Sequence, residues 1–200
     1  MTAPKNPTRV GYYFGGWYND AECTAAHDFA AAVEANATIY AKWTDGVTYK
    51  CTSTAESTRW QFRWHEDTVA MLNGTIQPGD VFTLMLKFDG ENTLAEDYWR
   101  IRTRSGEAHI TENIDFSETT KDGDWYLITV TVPNTITNGS GLYLQVYGAE
   151  EANWPIGSIM YIKGFAYNGT AIEIDARAYG TASTRWGAYE KVCADVEVVL

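Results

Sequence analysis

Positive charge is scarce in this chain: Lys and Arg total 15 against 26 Asp and Glu, for a formal net charge of −11. Phosphate backbones are gripped by clustered cations, so no nucleic-acid partner is expected. Histidine is rarer still. His27, His65 and His109 stand far apart with no HExxH spacing. There is no GxSxG, no Gly-rich phosphate loop and no Cys–His pairing, so no residue is nominated as catalytic. Carboxylates are plentiful, and a glycosidase needs only two of them about 5–9 Å apart, so that alternative stays open.

Cysteine is also sparse. Cys23, Cys51 and Cys193 form an odd set without CxxC spacing, which excludes a Cys-rich zinc module and a disulfide framework. One Cys51–Cys193 disulfide or three idle thiols are the two readings left. No apolar run reaches the length of a membrane span, no signal peptide precedes Pro4, and no long amphipathic helix is visible. No membrane partner is expected.

Aromatic residues are what the chain has in excess, with 8 Trp and 13 Tyr among 200 residues. They supply large, rigid contact area where a protein meets a ligand, and a β-sandwich core consumes them as well. The anchor of the sequence is the stretch 125–148. It predicts two strands, Trp125–Val132 and Leu142–Tyr147, joined by a polar turn through Pro133, Asn134, Asn138 and Gly139. Alternation places Tyr126, Ile128, Val130 and Val132 on one core-facing side, with Leu142, Leu144 and Val146 doing the same on the second strand. The opposite side of that second strand carries Tyr143, Gln145 and Tyr147.

Residues 5–43 have a texture of their own. A short aromatic strand over Tyr12–Tyr18 leads to a helical turn or loop at Ala25–Ala32 and then a strand at Thr38–Trp43. Pro7, Arg9, Gly11, Tyr12, Phe14, Gly16, Trp17, Tyr18 and Asp20, then Asp28, Phe29 and Val33, then Thr38–Trp43, resemble the Listeria–Bacteroides repeat, also called the internalin B-repeat. That resemblance implies a small β-grasp-like fold and a bacterial secreted or surface protein. The family's first half, a strand and an Asn/Gly-rich turn, has no counterpart before Pro4. A half repeat leaves an open sheet edge, so it is expected to dock on the rest of the chain or to pair with a strand at Asp195–Leu200.

Beyond Thr44-Asp45-Gly46 the pattern is a run of short strands with turn signals, as in a sandwich or jelly roll. Strands are predicted at Val47–Thr52, Arg59–His65, Val81–Phe88, Tyr98–Arg104, Ile159–Tyr167, Ala171–Ala176 and Val192–Leu200, besides the two already named. The segments 76–88, 125–133, 141–148 and 158–169 resemble, in content and order, jelly-roll carbohydrate-binding modules of bacterial polysaccharide-degrading enzymes. This resemblance, over 47–200, implies a polysaccharide or oligosaccharide ligand. Lys163 and Gly164 stand where such modules often carry an acidic pair, which puts the family's structural calcium in doubt; no cofactor is expected and metal content stays open.

Several positions suit a glycan, because rings stack on sugar faces while amides and guanidinium groups pair with hydroxyls. They are Tyr98, Arg100 and Arg102 on one strand and Tyr143, Gln145 and Tyr147 on another, with Trp154 at a rim and Trp125 as a secondary position. The bland alternatives are cross-strand ion pairs for the arginines and ordinary strand tyrosines. Trp60, Phe62 and Trp64 alternate with Arg59, Gln61 and Arg63, and the tryptophans are assigned to packing. The expected whole is all-β. It is an antiparallel jelly-roll sandwich at 45–200 behind a partial β-grasp-like repeat at 1–44, monomeric within a larger extracellular protein. Its expected role is non-catalytic carbohydrate binding. An adhesive or spacer domain is the alternative, and a jelly-roll hydrolase or lyase a minor one, the latter suggested by Tyr161, Lys163 and Tyr167.

Overall fold

The computed structural model describes residues 2–32, 35–54, 59–64, 75–89, 99–103, 114, 116–137, 142–147, 156–180 and 191–199. For 59–64, 75, 99, 102–103, 136–137, 142–147, 174–180 and 191–194 it is the backbone pairing that is used below. The described chain is all-β and antiparallel, without a helix. Its strands are β1 (Tyr12–Tyr18), β2 (Tyr40–Asp45), β3 (Thr48–Ser53), β4 (Arg59–Trp64), β5 (Thr75–Ile76), β6 (Val81–Asp89), β7 (Trp99–Thr103) and β8 (Lys121–Asp122). They continue with β9 (Trp125–Thr131), β10 (Ile136–Thr137), β11 (Leu142–Tyr147), β12 (Ile159–Tyr167), β13 (Thr170–Ala171), β14 (Ile174–Gly180) and β15 (Lys191–Val199).

One hydrogen-bonded ribbon runs β7-β11-β4-β14-β15-β3-β12-β6-β9-β8, with β13 beside β12. Laid flat, it would put β7 seven strand spacings, about 34 Å, from β6. Ile101 of β7, fully buried, nonetheless belongs to one cluster with Phe82, Leu84 and Leu86 of β6. The ribbon is therefore folded over, so that β7, β11, β4 and β14 face β3, β12, β6 and β9 across a common core, with β15 at the bend. This is a β-sandwich. Taken in chain order from β3 to β14, the long strands alternate between the two halves.

Burial alternates along β3 and over Ile159–Lys163 of β12, whereas on β6 Phe82–Leu86 are all buried, with Met85 packed against Gly11 of the leading segment. Cys51, Met160, Ile162, Leu84, Leu86 and Ile128 point inward, while Lys50, Tyr161, Lys87 and Trp125 occupy the outer surface as half-exposed residues. Gly164, at φ +62°, breaks the alternation of β12. The register against β6 shifts between Lys163 and Ala166, and Phe165 becomes a fully buried core ring stacked on Phe82.

Two expectations, a hairpin and an unbroken strand, need correction, and three open alternatives are decided. β9 and β11 are not a hairpin, because β9 pairs with β6 and β8 while β11 pairs with β4 and β7. Alternation reports which face a residue occupies, not which strand it pairs with. Of the helical turn or loop expected over residues 25–32, the loop is what forms, with turns and an isolated bridge from Tyr18 to Ala26. The strand expected at Ala171–Ala176 is split into β13 and β14. β15 pairs with β14 and β3, leaving β1 and β2 as a separate two-stranded sheet. Finally, Cys51 is a free buried thiol facing Val196, three residues past Cys193, so the Cys51–Cys193 disulfide is absent.

The β1–β2 unit docks on the sandwich through main chain. Gly46 N donates to Gly11 O at 2.9 Å, Gly164 N to Val47 O at 3.0 Å and Phe14 N to Gly169 O at 2.8 Å. Gly11, Gly46 and Gly164 pack so closely that a Cβ on Gly164 would lie 2.5 Å from the Gly11 carbonyl carbon. Lys163 Nζ reaches Asp45 at 3.0 Å, and the Tyr13 hydroxyl accepts from Val47 N at 3.2 Å. Burial is the main reason the Tyr13 phenol is pushed up to about 12.

Candidate functional site

The strand register assembles most of the expected glycan residues on one half of the sandwich. Ile101 faces the core, so its neighbours Arg100 and Arg102 belong to the outer face of β7. Gln145 lies opposite Arg100 and Tyr143 opposite Arg102. On the other flank of β11, Gln145 meets Gln61, Tyr143 meets Arg63 and Tyr147 meets Arg59. Tyr179 of β14 lies opposite Gln61. Residues directly opposite each other share a face, with Cβ atoms about 4.5–5.5 Å apart.

By register, four arginine, two glutamine and three tyrosine positions on four adjacent strands stand side by side, in a chain of net charge −11. Guanidinium forks and amides offer paired donors to vicinal hydroxyls or carboxylates, and tyrosines offer rings. Arg59, Gln61, Arg63 and Tyr179 were not among the expected site residues. The alternation in β4 pointed to the first three, and only the non-local pairing with β11 joins them to Tyr143, Gln145 and Tyr147. Tyr98 and Trp154 lie outside the described residues.

Trp125 is elsewhere. It lies on the outer face of the other half, with its ring 6.4 Å from that of Tyr161 at 66°. Lys87 Nζ stands 5.4 Å from the Trp125 centroid and 4.5 Å from that of Tyr161. Lys50, opposite Tyr161, forms an ion pair with Glu197 at 2.8 Å, and hydrogen bonding to that carboxylate raises its pKa. Tyr161 and Lys163 share this face, whereas Tyr167, beyond the Gly164 bulge, hydrogen-bonds Asp80. The three residues behind the lyase suggestion are thus divided between two places.

Asp80 is a buried carboxylate with several partners. It is 8% exposed, accepts from Tyr167 Oη, from Asn168 Nδ2 at 2.9 Å and from Gln77 N at 2.7 Å, and lies 3.5 Å from Lys5 Nζ. Burial works against its charge, but these hydrogen bonds and the lysine outweigh it and hold the carboxyl below the usual range. The cluster ties the leading segment to the β5–β6 and β12–β13 turns and reads as structural. Among the described residues no group of three or more His, Cys, Asp or Glu converges as metal ligands would.

Comparison with known proteins bears on the docked unit. Residues 1–42 match the Listeria-Bacteroides repeat domain. Repeats of this family occur in bacterial surface proteins. The matched repeat covers β1 and the start of β2, the part that packs its backbone on Gly164 and Gly169. No curated protein and no solved structure matches the chain.

Proposed function

We propose that the sandwich is a non-catalytic carbohydrate-binding module of a bacterial surface or secreted multidomain protein, carried next to a Listeria–Bacteroides repeat. The observation that supports this reading is the register of β7, β11, β4 and β14, which sets Arg100, Gln145, Gln61 and Tyr179 in one row and Arg102, Tyr143 and Arg63 in the next. In this reading sugar rings stack on Tyr143, Tyr147 and Tyr179, while the arginines and glutamines orient hydroxyls. Single-module binding is weak, and avidity with neighbouring domains strengthens it.

Affinity electrophoresis against soluble glucans, xylans, mannans and pectins tests the proposal, with Tyr147→Ala and Arg102→Ala run beside the parent. The expected result is retardation by at least one polymer that both variants lose while keeping the parent's circular dichroism. Absence of retardation throughout the panel transfers the assignment to an adhesive or spacer domain, the reading favoured by the surface-protein repeat. New reducing ends during incubation would instead make the chain an enzyme.

A further inference from the structure

The half of the sandwich opposite the arginine rows carries a second surface row, formed by side chains from six strands. Register places Glu197 of β15 opposite Lys50, Lys50 opposite Tyr161, and Tyr161 opposite Lys87. Leu86 pairs with Tyr126, which sets Lys87 beside Trp125, and Trp125 pairs with Asp122 of β8. From Lys50 to Trp125 the row crosses three strand spacings, about 14 Å. An extended sugar chain lying along it would meet a new side chain at roughly every pyranose.

The row has a wall. Two residues further along β12, about 7 Å away, Lys163 is bound to Asp45 and faces the Tyr12 ring at 5.9 Å. The docked repeat thus rises from the same face and turns the row into a ledge. Along it the cations differ in state. Lys50 is engaged by Glu197 and Lys163 by Asp45, whereas Lys87 forms no ion pair among the described residues and rests between the rings of Trp125 and Tyr161. Of the acids at the ledge, Asp89 takes the Tyr161 hydroxyl at 3.4 Å, and Glu197 and Asp122 lie at the two ends of the row.

A cation held over two half-exposed rings, with no carboxylate of its own among the described residues, matches a ligand that brings an apolar ring face and a negative charge together. We infer that the ledge of Trp125, Lys87, Tyr161 and Lys50, walled by the docked repeat, is a second glycan site that takes a uronate-bearing polysaccharide. One uronate ring stacks on Trp125 or Tyr161 and its carboxylate meets the Lys87 ammonium. This site is independent of the arginine rows and does not rest on their role.

The test uses the full chain in polygalacturonate and in a neutral glucan, with Lys87→Gln, Trp125→Ala and Arg102→Ala variants checked for parental melting. Polygalacturonate should retard the parent, and added salt should weaken the effect because the charge contact is exposed. Lys87→Gln should bind about tenfold more weakly, the loss expected for one charge-assisted hydrogen bond, while Arg102→Ala binds as the parent does. Parental retardation of Lys87→Gln, no retardation of the parent by polygalacturonate, or loss of uronate binding in Arg102→Ala alone would overturn the inference. The last outcome would leave the arginine face as the glycan site.

Discussion

Replacing Gly164 with alanine would push a methyl group into the main chain of the docked repeat. The new Cβ would lie 2.5 Å from Gly11 C, 2.6 Å from Gly11 Cα and 2.8 Å from Gly11 O. These are backbone atoms fixed by the Gly46 N to Gly11 O and Gly164 N to Val47 O hydrogen bonds, so no side chain can swing aside. Two costs add. The left-handed backbone at φ +62° costs a residue with a Cβ about 1–2 kcal/mol, and overpacking costs about 1–3 kcal/mol more. Their sum, about 2–5 kcal/mol, lowers the Tm of a chain of this size by about 4–20 °C. Gly123 supplies the control. It has φ +57° and open space where its Cβ would go, so Gly123→Ala incurs the backbone strain alone. Scanning calorimetry on the two variants and the parent isolates the collision. A Gly164→Ala melt within about 2 °C of the Gly123→Ala melt would refute the close main-chain docking of the repeat.

Further predictions concern ionisation and the thiol. Because the Asp80 carboxyl sits below its ordinary value in the folded chain, the unfolded chain binds more protons in acid. Its contribution to stability is therefore present above the unfolded carboxyl pKa of about 3.9 and is lost as pH falls through the lower folded value. Asp80→Asn should reduce the Tm at neutral pH and flatten the acid limb of a Tm–pH profile; an unchanged acid limb would count against the network. Cys51 is fully buried and burial pushes its thiol pKa up, so it should stay unmodified by a thiol reagent until denaturant is added. Mass spectrometry of labelled peptides checks this, and native-state labelling at Cys51 would contradict the packing.

Local alternation made much of the fold legible. Val81–Asp89 and Ile159–Tyr167 form as strands where the sequence alternates, but burial follows period two only over Ile159–Lys163, since Phe82–Leu86 are buried throughout, with Met85 packed against Gly11. Pairing was not legible, since it is decided by contacts between segments far apart in sequence. The polar stretch after Val132 suggested a hairpin, yet it crosses from one half of the sandwich to the other. The same limit governed the sites. Arg100 and Gln145 were recognisable singly, and their adjacency came from register alone. Lys87 in LMLKF looked unremarkable until β9 and β12 placed Trp125 and Tyr161 beside it. Gly164 gave no warning that it both reverses the facing of β12 and receives the repeat.

The alternation of strands between the two halves has a kinetic consequence. Most neighbours in the sandwich are strangers in the chain, so β3 cannot gain both of its partners until residues 159–163 and 194–199 have been made. Such topologies close long loops before any contact compensates for them, and they fold slowly. On a ribosome the β1–β2 hairpin could form early, while the sandwich waits for β15 to join β14 to β3. Until then the edges of β3 and β14 stay open, and the emerging chain is most vulnerable to pairing with the wrong strand.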